Sequence, residues 1–364
     1  MKSKTSIWDG NFIYVIIAIV VGFLVGAILL VSAGIDPGLT YSTLFQGVFS
    51  QPKYIVYSFV YAAPYIMTGL SVAFSFKTGV FNIGAEGQFV VGSLAAVLVG
   101  IFGNMPPAIH AIVCFIAAAA AGAAWGAIVG LMKIKRGINE VLSYIMFNWI
   151  AYYLSNYVVM HSGVKAKSIE ATKNIKDSAS TVIQGLIPAT GCPKVNSGFF
   201  IATIAAIVLW FVIKKTTFGY QLRAVGLSKT ASEYGGISSS KIFMVSMALS
   251  GMLAGIGGAI QTLGMAGRIS QFSGQESFGF DGITVALIGG TNPIGCIFSG
   301  LFYGAMKYGG NKLTLVNAPK EIVNIIMGTI IFFIAISLLL KRIIKGVQQK
   351  KLDKAKELTA AKEA

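Results

Sequence analysis

Charged residues are scarce in this 364-residue sequence: Asp, Glu, Lys and Arg make up 12% of it, whereas soluble domains contain about 25%. Hydrophobic residues make up 55%, so most of the protein surface must face a solvent other than water. The formal net charge is +16. The basic residues nevertheless occur in loops and a tail, not on a face interleaved with stacking aromatic residues, which argues against nucleic-acid binding.

Cysteine and histidine are also scarce, with three and two residues respectively. Cys114, Cys192 and Cys296 lack the spacing of metal ligands, and a disulfide framework is not expected. His110 and His161 stand at predicted membrane edges and suggest no catalytic constellation. No glycine is followed directly by lysine, so the chain lacks the Gly-Lys-Ser/Thr phosphate loop. We therefore expect no metal site and no enzyme activity, and any ATP is hydrolysed by another chain.

Long apolar runs dominate the sequence instead. A helix needs about 20 residues to cross the hydrocarbon core of a bilayer. Runs close to that length, ended by charge, proline or polar clusters, predict ten segments, at 11–33, 55–75, 82–103, 109–132, 139–160, 198–213, 242–264, 279–290, 294–311 and 321–340. The eighth is too short for a plain crossing and ends in GGTNP, so we expect a broken or re-entrant segment. The predicted fold class is an all-α polytopic membrane protein.

The distribution of basic residues predicts the orientation of the chain. Outside the tail and the loop at 161–197, eleven Lys and Arg residues lie on the side of the termini and five on the other side. The side richer in Lys and Arg is the cytoplasmic one, so both termini are predicted to be cytoplasmic. The first apolar run, Phe12 to Val31, is longer than the core of a signal peptide and is interpreted as a retained span.

The spans predict one transmembrane domain at 1–340, followed by a basic tail at 341–364. For the tail, a solvated helical extension near anionic lipid is favoured over a specific site. Two loops are too long for turns. The external loop at 161–197 is long enough to meet another protein, and the cytoplasmic loop at 214–241 has an amphipathic helical signal around Tyr220 to Val225 that suits docking on a soluble partner.

Small residues recur at four-residue spacing in three spans. They are Gly122, Gly126 and Gly130, then Gly251 and Gly255, then Gly300 and Gly304. Glycines on one helix face let a neighbouring backbone approach closely. This pattern predicts helix packing, not chemistry.

Polar side chains inside spans are more informative, because a charged group at the bilayer centre costs at least about 2.5 kcal/mol. Asn82 and Glu86 lie on one helix face with Phe89, and Phe81 and Gln88 flank them. Two interpretations stay open for this cluster: a clamp of hydrogen bonds between helices, or the lining of a solute path.

A second polar group occurs in the fifth span. Asn139 and Glu140 are explained as a helix cap and a first-turn acid, but Asn148 is in mid-span with Tyr152 one turn later. An amide flanked by aromatic rings suits a planar, hydrogen-bonding solute, although an amide tied to a neighbouring helix fits equally. Asp281, at the start of the short segment, is either a cap or part of the path.

The cytoplasmic stretch that begins at Thr217, with FGYQLRAVGLSKTASEYGGI, resembles the coupling loop of permease subunits of bacterial ABC importers. ITVALIGGTNPIGCIFSG resembles the re-entrant region of the same family, and the resemblance covers nearly the whole chain. It implies that the surface facing the ATPase is formed by Arg223, Ala224, Gly226, Ala231, Gly235 and Ile237. It also implies a multi-pass protein of the bacterial cytoplasmic membrane that binds no cofactor, with ATP used by partner ATPase subunits.

Two motifs indicate the branch of this family, which includes ribose, branched-chain amino acid and nucleoside systems. FNIGAEGQ, from Phe81 to Gln88, and NEVLSYIMFNWIA, from Asn139 to Ala151, are similar to nucleoside-type permeases that work with substrate-binding lipoproteins. The extra first span and the long external loop resemble the longer of two permeases, which implies a heterodimer with a second, shorter one. Phe147, where leucine is common, leaves riboflavin or a sugar open as the substrate.

These features predict a permease subunit of a nucleoside importer. The rival interpretation is a stand-alone secondary transporter driven by an ion gradient through Glu86 or Asp281. Such a transporter would need no ATPase.

Overall fold

The computed structural model describes residues 11–161, 163–334 and 336, and these residues form helices and loops without a strand. The helices are α1 (Asn11–Ser32), α2 (Pro37–Phe49), α3 (Pro52–Phe76), α4 (Ala85–Phe102), α5 (Pro107–Arg136), α6 (Glu140–Met160), α7 (Ile187–Thr190), α8 (Gly198–Lys215), α9 (Thr217–Leu227), α10 (Lys229–Tyr234), α11 (Ser239–Gln261), α12 (Phe278–Ile288), α13 (Pro293–Gly310) and α14 (Ile322–Ile334). Tyr41–Val316 form one compact unit, and the described residues on either side of it form another.

Each of the ten predicted segments coincides with a helix, although residues 337–340 of the last lie outside the described residues. Among the described residues, six helices are long and apolar enough to cross a membrane: α1, α3, α4, α5, α8 and α11 with its final turn. The chain is thus an all-α, multi-pass membrane protein. The predicted tail at 341–364 also lies outside the described residues.

The sequence analysis missed α2. Its sequence, PGLTYSTLFQGVF, mixes apolar and polar residues and is shorter than a membrane span. A search for apolar runs therefore does not find it. Pro37 at its start has the fixed φ angle that suits the first position of a helix.

Close packing of small residues builds the main unit. A Cβ on Gly122 of α5 would lie 3.0 Å from the Cα of Gly255 of α11, and it would overlap the carbonyl oxygen of Gly251. A Cβ on Gly304 of α13 would lie 2.6 Å from the Cα of Ala62 in α3. Only glycine permits backbones to come this near, so the predicted packing role of these spacings is confirmed.

The two helices α4 and α12 begin in the interior of the main unit. The first residue of α12, Phe278, packs its ring 5.1 Å from that of Tyr65, near the middle of α3. After α3 ends, residues 77–84 turn back along it, so that Asn82 reaches Ser71. The predicted span at 82–103 therefore starts inside the protein and becomes helical at Ala85.

The short helix α12 has 11 residues and a length of about 16 Å, roughly half of the hydrocarbon thickness. It ends in a turn in which Gly290 and Thr291 both have positive φ angles, 62° and 52°. The expected break at GGTNP is confirmed. Whether α12 re-enters the membrane from one side stays a prediction.

The loop at 161–197 is tied by backbone hydrogen bonds to the last turn of α4 and to the segment that leads into α12. Thr172 donates its N–H to the carbonyl oxygen of Ile269, at 2.8 Å, and Lys176 donates to that of Gly100, at 3.0 Å. Cys192 in this loop is buried and free, and burial raises the pKa of its thiol. The loop thus has a defined conformation in its described residues.

We predict that Gly251→Leu lowers the free energy of unfolding by about 3 kcal/mol, the upper range for overpacking, because its side chain would overlap the backbone of Gly122. Thermal unfolding of the purified chain measures this. Gly328→Leu in α14 is the matched control, since nothing lies within 4 Å of a Cβ there. Equal melting temperatures for the two variants would contradict the packing described above.

Candidate functional site

The candidate site lies where α4 and α12 begin. The first N–H groups of a helix have no partner within it, and in an apolar interior each needs an acceptor from elsewhere. Neither helix supplies its own: Gly84 precedes α4 and has no side chain, and Ser277 precedes α12 without a side-chain cap. Acceptors for both helices therefore come from distant parts of the sequence.

Glu86, in the first turn of α4, is the acceptor for α12. Its Oε1 accepts a hydrogen bond from the N–H of Ser277 at 2.8 Å, and its Oε2 accepts one from the N–H of Gly279 at 2.6 Å. The carboxylate is 1% exposed. A negative group at the positive end of a helix forms strong, charge-assisted bonds. A Cβ on Gly279 would overlap the backbone of Glu86, so glycine is required for this approach.

Asn148 of α6 performs the same function for α4. Its Oδ1 accepts from the N–H of Gly87 at 2.8 Å, and its Nδ2 donates to the carbonyl oxygen of Ile83 at 3.1 Å. Both bonds are made by one buried side chain to backbone groups at the start of the helix. The amide therefore fixes α6 against α4.

Asn82 is the centre of a third set of bonds. Its Nδ2 donates to Gln88 Oε1 at 2.9 Å, to Ser250 Oγ at 2.6 Å and to Ser71 Oγ at 3.2 Å. The two serine hydroxyls lie 3.0 Å apart. All four residues are buried, and they join α3, α4 and α11.

The loop before α12 is held by α6. The hydroxyl of Tyr152 donates to the carbonyl oxygen of Phe272 at 2.9 Å, and Asn156 both donates to that oxygen, at 3.0 Å, and accepts from the Phe272 N–H, at 2.9 Å. The sequence analysis missed Asn156. Its four-residue spacing after Asn148 and Tyr152 was the available signal, since that spacing forms one helix face.

Asp281, in the first turn of α12, forms an ion pair with Lys307 of α13, with Nζ and Oδ2 3.0 Å apart. Both side chains are partly exposed. The Lys307 ammonium also lies 5.4 Å from the ring centroid of Tyr303. Lys307 was missed as well, although a basic residue within the apolar run 294–311 needs a partner.

The structure therefore brings most of the predicted path residues together. Asn82, Glu86, Gln88 and Asn148 surround the start of α4, Asp281 stands in the first turn of α12, and Tyr152 holds the loop between them. Phe81 is half-buried with its ring 5.3 Å from that of Phe76. The bonds of Asn82, Gln88 and Asn148 are those of a clamp between helices. That these seven residues line a solute path stays a prediction.

The cap predicted at the start of α6 is confirmed. Asn139 Oδ1 accepts from the N–H of Val141 at 2.8 Å. Glu140 in the same turn forms an ion pair with Lys133 at the end of α5.

The helical signal around Tyr220 to Val225 is also confirmed, as α9, and a second short helix, α10, follows it. Thr216 caps α9 by accepting from the N–H of Gly219 at 3.1 Å, and Ser228 caps α10. Apolar side chains point outward here: Leu227 is 89% exposed and Tyr234 is 90% exposed. Neither was singled out from the sequence. Within a membrane protein, exposed apolar residues on a capped polar segment are typical of a protein-docking surface.

The six residues assigned to coupling lie on or beside these two helices. Arg223, Gly226, Ala231 and Gly235 are exposed, and Ala224 and Ile237 are half-buried. Gly226 has a second role, because a Cβ on it would overlap the carbonyl oxygen of Lys77 and lie 3.3 Å from the N of Gly79. The end of α9 thus touches the segment that leads into α4.

Metal-binding side chains do not cluster in the part of the chain that the structure describes: no group of three or more His, Cys, Asp or Glu residues is close enough to hold an ion.

Comparison with known proteins finds similarity to permease proteins of ABC transporters. The family described as branched-chain amino acid transport system permease component matches residues 54–335. The guanosine ABC transporter permease protein NupP of Bacillus subtilis is 38% identical over 92% of this chain and 96% of its own length. The nucleoside ABC transporter permease protein NupB of Lactococcus lactis is 33% identical, over 90% of this chain and 91% of its own. A second Bacillus subtilis protein, the guanosine ABC transporter permease protein NupQ, is 30% identical over 74% of this chain and 85% of its own. No solved structure matches the chain.

We predict that Glu86→Gln destabilises the protein by about 1.5–3 kcal/mol, the value of one hydrogen bond to a charged group, because an amide nitrogen cannot accept from a backbone N–H. Glu86→Ala, which removes both acceptors, should cost more. Thermal unfolding of the purified chain measures both. Glu170→Gln is the matched control, since Glu170 is exposed in the loop. A Glu86→Gln protein with normal stability but no transport would show that the carboxylate acts on the solute instead.

Proposed function

The chain belongs to the family of branched-chain amino acid transport system permease components, and from this premise we propose that it is the membrane subunit of an ABC importer for nucleosides. The observation that carries the proposal is its similarity, over nine-tenths of its length, to guanosine and nucleoside permeases. In this role the chain forms half of a solute path, binds no cofactor, and relies on separate subunits to hydrolyse ATP.

We assign α9 and α10 to the docking of the ATPase. Exposed Leu227 and Tyr234 supply apolar contact area, and Arg223 supplies charge at the same surface. The contact of Gly226 with residues 77–79 supports transmission into the membrane. Movement of α9 would press on the segment that begins α4, and Glu86 would carry that movement to α12.

For the solute path, we propose two roles for the predicted residues. Asn82, Glu86, Gln88 and Asn148 hold the starts of the two broken helices, because their polar groups bond to other groups of the chain. The partly exposed residues contact the solute: Phe81, Tyr152 and Asp281. Aromatic rings and a carboxylate suit a nucleobase and a ribose, which offer a flat face and several donors.

The proposed topology has ten membrane segments, with α12 as a broken segment that completes one crossing and both termini in the cytoplasm. The transmembrane domain then comprises 1–340, and 341–364 form a cytoplasmic tail. The loop at 161–197 lies outside, where its defined conformation suits contact with a substrate-binding lipoprotein. In this arrangement α9 and α10 face the cytoplasm, as ATPase docking requires.

The remaining proposed partner is a second, shorter permease. Bacillus subtilis has two guanosine ABC transporter permease proteins that are both similar to this chain, NupP over more of it than NupQ. Such a pair supports a heterodimer in which this chain is the longer member.

We predict that labelled guanosine is taken up by vesicles that contain the chain with its permease, ATPase and lipoprotein partners. Unlabelled adenosine and guanosine should compete, and ribose and riboflavin should not. Equal competition by ribose or riboflavin would contradict the nucleoside assignment. Uptake by the chain alone that collapses with a protonophore would instead show an ion-coupled secondary transporter.

We also predict that Leu227→Asp prevents association with the ATPase subunit, because it places a charge in the apolar centre of the docking surface. Copurification of the two subunits measures this. Leu315→Asp is the matched control, since Leu315 is similarly exposed on the side predicted to be external. If both variants lose the ATPase, or if neither does, α9 is not part of the docking surface.

A further inference from the structure

A cavity of about 210 Å³ lies beside α9, at the end of the apolar helix α8. Its walls come from the segment after α3, the last turns of α8, the middle of α9 and the turn between α12 and α13. The residues that carry the argument are Lys77, Trp210, Lys214, Arg223 and Asn292. None of them belongs to the cluster around Glu86, so this is a separate site.

Three cationic groups line this cavity, and no acidic residue does. Among the described residues, no carboxylate oxygen lies within 4 Å of Lys77, Lys214 or Arg223. The Lys77 ammonium donates to the hydroxyl of Thr291 at 3.0 Å, and that of Lys214 lies 5.6 Å from the ring centroid of Trp210. Arg223 Nε donates to the carbonyl oxygen of Gly219 at 3.2 Å. All of these partners are neutral, so no acidic group among the described residues offsets the three positive charges.

The electrostatics of Lys77 agree with this geometry. Burial lowers the pKa of its ammonium, and the charges of Arg223 and Lys214 lower it further, against an opposing effect of Cys296. A bound anion would favour the charged form of all three groups.

The negative ends of two helices account for the positions of two of the three cations. Lys77 follows the last residue of α3, and Lys214 stands in the last turn of α8, where cations offset the negative end of a helix. Arg223 belongs to the middle of α9 and offsets no helix end. The open volume between the three groups is also unexplained by helix ends.

The surface next to the cavity indicates the kind of anion. On α8, Phe200, Ile207 and Phe211 are exposed and lie on the same face as Lys214, at successive spacings of seven, four and three residues. This apolar face runs from the cavity along a helix that is long and apolar enough to cross the membrane. Trp210 at the rim is typical of the interface between hydrocarbon and headgroups. A cationic cavity joined to an apolar stripe fits a phosphate group that carries acyl chains.

We propose that this cavity binds the headgroup phosphate of an anionic phospholipid, with the acyl chains along α8. Its place in the cytoplasmic leaflet, and its effect on coupling, rest on the function proposed above. Because the phosphate would contact both Arg223 of α9 and the turn after α12, a bound lipid would link α9 to α12.

The test measures lipid binding by the full-length purified chain, without ATPase or solute, so that its outcome is independent of transport. Native mass spectrometry would follow titrations with phosphatidylglycerol and with phosphatidylcholine. We expect phosphatidylglycerol to bind at least tenfold more tightly, and Lys214→Glu to weaken it about tenfold. Lys215→Glu, the same charge change one residue later and outside the cavity, should leave the affinity unchanged.

Three outcomes would overturn the proposal. One is equal binding of the two lipids, and another is an equal loss in the Lys214→Glu and Lys215→Glu variants, which would indicate attraction to any surface lysine. The third outcome comes from a separate titration, in which inorganic phosphate is added instead of lipid. Thermal stabilisation by phosphate that Lys214→Glu abolishes, without a preference between the lipids, would assign the cavity to a free anion. Lys77→Met serves as a second variant and should also weaken phosphatidylglycerol binding.

Discussion

Backbone N–H groups that are buried in an apolar interior determine how this protein is built. A helix that begins inside a membrane protein exposes several such groups to surroundings without water, and each unsatisfied one costs several kcal/mol. Here two helices begin inside, and neither has a cap of its own. Glu86 supplies acceptors to α12, and Asn148 supplies one to α4. The polar residues in the spans are therefore needed for the fold itself, whatever they also do for transport.

Because these N–H groups need acceptors, α6 is bonded to the start of α4, and α4 is bonded to the start of α12. Asn148 holds the start of α4 to α6, and Glu86 in that start holds α12, so a displacement of α4 must carry α12 with it or break charge-assisted bonds. The segment before α4 touches Gly226 at the end of α9. A continuous series of contacts therefore connects the exposed helix α9 to α4 and α12 in the interior. For the proposed coupling, these contacts form a route that needs no long-range effect beyond packing.

The features predicted correctly from the sequence are those set by neighbouring residues. Apolar runs predicted ten of the helices, glycine spacings predicted which helix faces pack closely, and Asn139 predicted a cap, because each pattern lies within a few turns of one helix. The pairing of α5 with α11 was not predicted. The partners of Glu86 could not be predicted, since Ser277 and Gly279 lie more than 190 residues later. The sequence therefore located the polar cluster but left its role open. Lys307 stands out as a basic residue within an apolar run, but its pairing with Asp281 of another helix could not be predicted.

The same bonds restrict where a solute can be recognised. A solute donor that took the place of the Ser277 N–H on Glu86 would leave that group unsatisfied, at about 1–3 kcal/mol. It would also loosen α12, the helix that is proposed to receive movement from α9 through α4. Asp281 and Lys307 keep part of their surface open while paired, so they can contact a solute without breaking the frame. In the proposed importer, recognition is thus better placed on this partly exposed pair, with Glu86 and Asn148 as its rigid support.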